Sequence, residues 1–202
     1  RGAAMKHILV PTDFSRRSVL AMERAFDLAA MSGAKMTLLH VVDEDQPPAM
    51  VEAQEREAKA QFAAMSDRQP KPAKLVRVGE PFLAVPECAS EIGADLIVMG
   101  APRKAPLRNN FIGTTAERAL RTSRIPALVV RKGAYGKYAK PLAALDLVDG
   151  DLFPWTKASA LGLAEEGDAR VVFAYEAGSL HALRKANRDV KGFEKFLGEE
   201  RD

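Results

Sequence analysis

From Lys6 to Val130 the chain alternates short apolar runs with segments of helical periodicity, and this alternation constrains its fold more than any other feature. Ile8-Leu9-Val10 stops at Pro11-Thr12-Asp13. Ser15 to Ser32 repeats apolar positions at helical spacing and ends at Gly33, a C-cap signal. Met36 to Val42 is a continuous apolar run, the mark of a strand buried on both faces. A charged segment rich in helix formers follows, about Pro48 to Asp67. Next come a strand (Lys74 to Val78), a helix opening at Pro81 and a strand (Leu96 to Met99) that ends at Gly100. After a basic loop, Thr114 to Arg121 reads as a helix and Ala127 to Val130 as the last strand. The expected class is therefore α/β. Right-handed crossovers turn five such strands into a parallel open sheet with helices on both faces. Ligands of these sheets sit outside the carboxyl ends of the strands, near the point where strand order reverses. Candidate site residues are those just after the strands: Pro11-Thr12-Asp13, Val41-Val42-Asp43, and Gly100 onward.

Composition removes several classes of function. With 202 residues, 47% hydrophobic and 28% charged, the chain has the make-up of a folded globular protein. No stretch approaches the ~18 apolar residues a membrane helix needs. No signal peptide is expected ahead of Met5, and Arg1 to Ala4 reads as an expression remnant. A single cysteine, Cys88, excludes an intrachain disulfide and any zinc site with two Cys ligands. The expectation is a soluble, cytoplasmic protein with no membrane partner. A pI near 9 suggests nucleic acid, but the charge is spread out. Residues 1–132 carry 20 basic and 15 acidic side chains, and residues 133–202 carry 10 and 12. No aromatic interleaves with a basic cluster, so no nucleic-acid partner is expected.

The sequence divides into a domain over residues 5–132, a glycine-containing linker over 133–139 and a second unit over 140–202. Lys140 to Asp146 is similar to Lys6 to Asp13. A helical segment from Leu152 to Glu166 is expected to close at Gly167, Arg170 to Tyr175 to match the second strand, and a helix to run from Leu180. The unit reads as a partial β-α-β-α repeat, with a C-terminal extension of coincidental pattern as the competing description. Half of such a domain leaves a strand edge and an apolar sheet face uncovered. It is expected to pack on the first domain or on another chain, with Phe153, Phe173 and Tyr175 among the contacts. Carrying no glycine phosphate loop, it is left with an oligomerisation or regulatory role.

The strongest chemical signal runs from Gly100 to Glu117. A strand ends at a glycine, a basic loop with Arg103, Lys104 and Arg108 follows, and Gly113 precedes Thr114 and Thr115. Thr114 and Glu117 form a capping box, the start of a helix whose unpaired N–H groups and dipole suit a phosphate. Gly113 lets main chain approach an anion closely, and arginine can grip phosphate with two bonds. The ordinary alternative is a capped helix after a solvated loop. Asp13 stands where the topology places a ligand and can meet an adenine amino group or a ribose hydroxyl; its competing role is capping the first helix with Ser15. His7, His40 and His181 share no metal-ligand spacing, and His40 reads as a packed histidine. Cys88 reads as a buried inert thiol. Asp43, Glu44 and Asp45 are either a solvated approach to a helix or a magnesium contact through a bound triphosphate. Phe153 and Trp155 read as core or interface.

Ile8-Leu9-Val10-Pro11-Thr12-Asp13-Phe14-Ser15, Leu38-Leu39-His40-Val41-Val42, Leu96-Ile97-Val98-Met99-Gly100, Gly113-Thr114-Thr115-Ala116-Glu117-Arg118 and Pro126-Ala127-Leu128-Val129-Val130-Arg131 together resemble the universal stress protein family. The resemblance covers about residues 5–132, and the second half resembles a truncated tandem copy. It implies an adenine-nucleotide-binding fold with strand order 3-2-1-4-5. It also implies a homodimer, or a pseudo-dimer between tandem copies, formed through the last strand. ATP-binding members carry G-x2-G-x9-G-(S/T). Gly100, Gly113 and Thr114 keep that spacing, but Arg103 stands where the family has its middle glycine. Carried over, Asp13 and Val41 would hold adenine, and Gly100, Gly113, Thr114 and Thr115 the ribose and phosphates. Pro11, Thr12 and Met99 complete the implied cofactor-binding set. Arg103 either replaces lost main-chain contacts with a charged one or fills the phosphate space itself. The implied ligand is ATP, with ADP or AMP as alternatives and Mg2+ arriving through the nucleotide. The implied role is stress response or signalling through nucleotide-dependent binding of a protein partner. A non-binding dimeric interaction module is the alternative. A slow ATPase is the weakest reading, since no general base with an orienting partner stands beside the loop.

Overall fold

The computed structural model describes residues 5–65, 68–101, 118, 123–133, 136, 138, 140–145, 153–163 and 170–173. Within them the chain forms β1 (His7–Pro11), α1 (Arg16–Ser32), β2 (Lys35–Val42), α2 (Pro48–Ala64), β3 (Ala73–Val78), α3 (Pro81–Glu91), β4 (Leu96–Gly100) and β5 (Ala127–Val130). The five strands make one sheet in the order β3-β2-β1-β4-β5, every pair parallel. This is the order the family resemblance implied. The expected fourth helix, Thr114 to Arg121, lies outside the described residues apart from Arg118. That residue is helical, with its guanidinium 3.3 Å from the ring centroid of Phe82 on α3.

Side-chain alternation along the strands divides the core into two layers. Ile8, Val10, Leu38 and Val98 pack with Ala25 and Phe26 of α1 and Phe62 of α2. Leu9, Leu39, Ile97 and Met99 pack with Val85, Cys88 and Ala89 of α3. Ser15 caps α1, its hydroxyl accepting from the Ser18 N–H at 3.5 Å. Gly33 ends that helix in the left-handed conformation (φ 73°), with its N–H on the Ala29 carbonyl. α2 starts on Pro48 and stops at Ala64, three residues short of the expected Asp67; residues 66 and 67 lie outside the described set.

A second, two-stranded parallel sheet pairs β6 (Leu142–Leu145) with β7 (Arg170–Phe173), and helix α4 (Phe153–Ala160) lies between them in sequence. The expected helix end at Gly167 is incorrect. The chain leaves α4 at Ala160 and turns left-handed at Gly162 (φ 67°), with the Leu163 N–H bonded to the Ala158 carbonyl. α3 ends in the same manner, at Gly93 (φ 62°) with Ala94 bonded to Ala89. Gly162 is the first glycine after α4, and it provides the left-handed stop before Gly167 is reached.

Among the described residues, contacts with the first unit come from Gly136, Tyr138, Leu161 and Leu163. Leu163 is buried in the α1-side core, and Tyr138 and Leu161 pack against it. Arg24, fully buried on α1, pairs with Asp27 and donates to the Gly136 carbonyl at 2.6 Å, while Asp27 accepts from the Gly136 N–H at 3.0 Å. The Arg24 guanidinium also lies 4.8 Å from the Tyr138 ring centroid. Gly136 and Tyr138, within the expected linker, thus meet Arg24 of α1. The side chains of Phe153, Phe173 and Tyr175 lie outside the described residues.

Candidate functional site

β1 is the first strand of the chain and lies between β2 and β4, so successive crossovers leave it in opposite directions. The carboxyl ends of β1 and β4 therefore flank the switch point of the sheet. Pro11, Thr12, Asp13, Val41, Met99 and Gly100 all lie at this edge. Arg103, Gly113, Thr114 and Thr115 lie outside the described residues, as do Lys104 and Arg108.

The side chain of Thr12 is committed to the fold. It is 6% exposed, its hydroxyl donates to Ser18 Oγ at 3.1 Å and accepts from the Phe14 N–H at 3.0 Å, and its own N–H bonds the Leu39 carbonyl. Met99 is buried among the α3-side residues and contributes packing. Asp13 differs from both. Its side chain is exposed and accepts from the Ser15 N–H at 3.0 Å, while Ser15 itself caps α1. Desolvation pushes the Asp13 pKa up, but hydrogen bonds from Ser15 and Ser18 more than offset it and hold the carboxyl below its ordinary value. Asp13 is therefore an ionised acceptor at the lip of the sheet.

Val41 acquires its role from strand length. β1 pairs with β2 only as far as Pro11 opposite Leu39, and β2 continues to Val42. Alternate residues of a strand direct their main-chain groups to the same neighbour. Lys35 donates to Lys6 and Leu39 accepts from Thr12, so the odd-numbered residues of β2 face β1. Even-numbered Val42 instead bonds Gly79 beyond β3. Val41 thus directs its N–H and C=O past the end of β1, at the sheet edge where Asp13 also stands. One further step of the ladder would give the Val41 N–H the Thr12 carbonyl. That carbonyl instead accepts from Nδ1 of His40 at 2.8 Å.

His40, expected as a packed histidine, is partly buried and stacks on Phe14 with centroids 4.9 Å apart. Phe14 has φ 56° and meets Phe62 edge-on at 5.1 Å. Residue-by-residue reading of the sequence missed this cluster. Its one visible trace was a histidine inside an otherwise apolar strand. At Asp43 the carboxylate accepts from the Asp45 N–H at 3.1 Å in a turn ahead of α2. Among the described residues no group of three or more His, Cys, Asp or Glu is placed to hold a metal.

A cavity of about 300 Å3 lies at the opposite end of the sheet, lined by Met22, Phe26 and Met65 and by Arg68, Lys71 and Lys74. Arg68 is bonded to Glu23 at 2.6 Å and Lys74 to the Phe62 carbonyl at 2.5 Å, so two of its cations already serve the fold. Among the described residues no helix is long and apolar enough to cross a membrane.

Residues 5–131 match the universal stress protein family. The chain is 30% identical over 140 residues to Universal stress protein MJ0531 of Methanocaldococcus jannaschii, which covers 63% of this chain and 82% of that protein. Over 154 residues it is 25% identical to Universal stress protein MJ0577 of the same organism, covering 63% of this chain and 95% of that one. Among solved structures, universal stress protein UspA from Lactobacillus plantarum matches with a TM-score of 0.53 and 26% identity, over 64% of this chain and 99% of that one.

Proposed function

The chain belongs to the universal stress protein family, and from that premise we propose that it binds an adenine nucleotide, ATP foremost, at the carboxyl edge of the five-stranded sheet. The observation that carries this reading is the Val41 peptide projecting beyond β1 at the sheet edge where the ionised Asp13 also stands. A peptide N–H and C=O from one residue complement the acceptor and donor on the pairing edge of adenine, and a carboxylate beside them suits an amino or ribose hydroxyl group. Gly100 opens the segment toward the phosphates, and Gly113, Thr114 and Thr115 hold them at the helix start that the sequence predicts. Arg103 adds a charge in place of a glycine, and Mg2+ arrives with the nucleotide.

The nucleotide then sets the affinity for a protein partner in stress response or signalling, in the cytoplasm. Hydrolysis is not part of the proposal. Residues 140–202 act as a partial tandem copy. Support comes from strand register: His7 pairs with Lys35 and Leu142 with Arg170, a separation of 28 residues in each parallel pair. The family's self-association through β5 completes the reading, as a homodimer or a pseudo-dimer.

Titration calorimetry with ATP and ADP, joined by mass spectrometry of small molecules released on denaturation, tests the proposal. Binding with a thermal shift is expected, and replacing Gly113 by a bulky residue should abolish it. No heat and no shift at millimolar nucleotide would leave a non-binding interaction module. Binding that survives the Gly113 change would overturn the phosphate-loop assignment.

A further inference from the structure

We propose that Phe14, His40 and Phe62 form an aromatic stack that positions the nucleotide corner, so that the packing of α2 sets how well Asp13 and Val41 receive the base. The inference rests on the nucleotide-binding reading above and adds the means by which the same site is shaped and regulated.

Phe14 is the only non-glycine residue at positive φ among those described. A bulky L-residue adopts this conformation only when its surroundings impose it. Three elements do so here. From β2, His40 stacks on the ring at 4.9 Å with 30° between the planes. From the last turn of α2, Phe62 meets it edge-on at 5.1 Å and 67°, the arrangement that ring quadrupoles favour. From the corner itself, Thr12 Oγ1 accepts from the Phe14 N–H and donates to Ser18 Oγ on α1.

The stack has two consequences for the site. The left-handed turn at Phe14 swings the chain off the β1 line, which ends the ladder with β2 and presents Asp13 outward. His40, held by the Phe14 ring, keeps Nδ1 protonated toward the Thr12 carbonyl. That carbonyl is thereby drawn from the Val41 N–H, which stays directed at the base. Phe62 is 3% exposed and belongs to the α1- and α2-side core, so any shift of α2 reaches the corner through its ring. A partner that engages α2 thus gains a route to the nucleotide.

A double-mutant cycle tests the stack. Glycine holds a left-handed conformation without help from neighbours, so Phe14→Gly makes the corner independent of the rings. ATP affinity by calorimetry and the Asp13 carboxyl midpoint by NMR are measured for wild type, Phe62→Leu, Phe14→Gly and the double variant. Phe62→Met replaces Phe62→Leu if the latter does not fold. In the wild-type background Phe62→Leu is expected to weaken ATP binding about three- to tenfold and to move the Asp13 midpoint up toward its ordinary value. In the Phe14→Gly background it is expected to change neither. Equal losses in both backgrounds, or no loss in either, would overturn the proposal. If the wild type takes up no ATP, the nucleotide reading has failed on its own. The Asp13 midpoint then still decides the stack, which falls if Phe62→Leu leaves that midpoint unmoved.

Discussion

A Cβ on Gly100 would stand 2.7 Å from both the carbonyl carbon and the carbonyl oxygen of Arg17. The first turn of α1 lies directly on the end of β4, and the glycine is required by that contact before any ligand is considered. The family resemblance assigned Gly100 to a phosphate motif; the fold gives it a second duty. Because Asp13 leads into the same turn through Ser15, Gly100 also fixes where the carboxylate stands.

Gly100→Ala should therefore destabilise the protein by about 1–3 kcal/mol, the usual penalty for overpacking a tight interior. Urea unfolding measures it. Nucleotide affinity should fall in parallel as α1 moves off β4, and a variant that unfolds like the wild type would mean the contact is not tight.

Asp13 gives a pH signature. Its folded pKa lies below the ordinary 3.8, so its contribution to stability is complete above that value and is lost as the pH falls through the folded pKa. The stability gap between wild type and Asp13→Ala should be constant at neutral pH and close below pH 3.8. Thermal melts between pH 6 and pH 2.5 check this; a gap that persists at the acid end would contradict the assigned hydrogen bonds.

Asp27→Ala removes a carboxylate that pairs with the fully buried Arg24 guanidinium. A loss of about 3–5 kcal/mol is expected, since the buried guanidinium loses this paired carboxylate. Amide exchange at Gly136 and Tyr138 should rise in the same variant, because the clamp on that stretch is released. Unchanged exchange there would show that the junction is held without Asp27.

Cys88 is fully buried on α3. Burial pushes its thiol pKa up, and the nearby Arg77 only partly counters this. Its reaction with a disulfide reagent at pH 8 should be at least about 100-fold slower in the native protein than in urea. Rapid native labelling would place the thiol at a surface the packing does not show.

Sequence alone determined the alternation of strands and helices, the parallel sheet, the glycine stop at Gly33 and the position of Asp13 at a strand end. These are legible because burial is written in side-chain periodicity, and periodicity is local. The reach of Val41 beyond β1, the left-handed turn at Phe14 and the second duty of Gly100 were decided by tertiary structure. Main-chain hydrogen bonds carry no side-chain signature, so their direction is set only once it is settled which of two neighbouring strands ends first. In the same way, a glycine reveals whether it serves a ligand or a helix only when the element packed against it is in place.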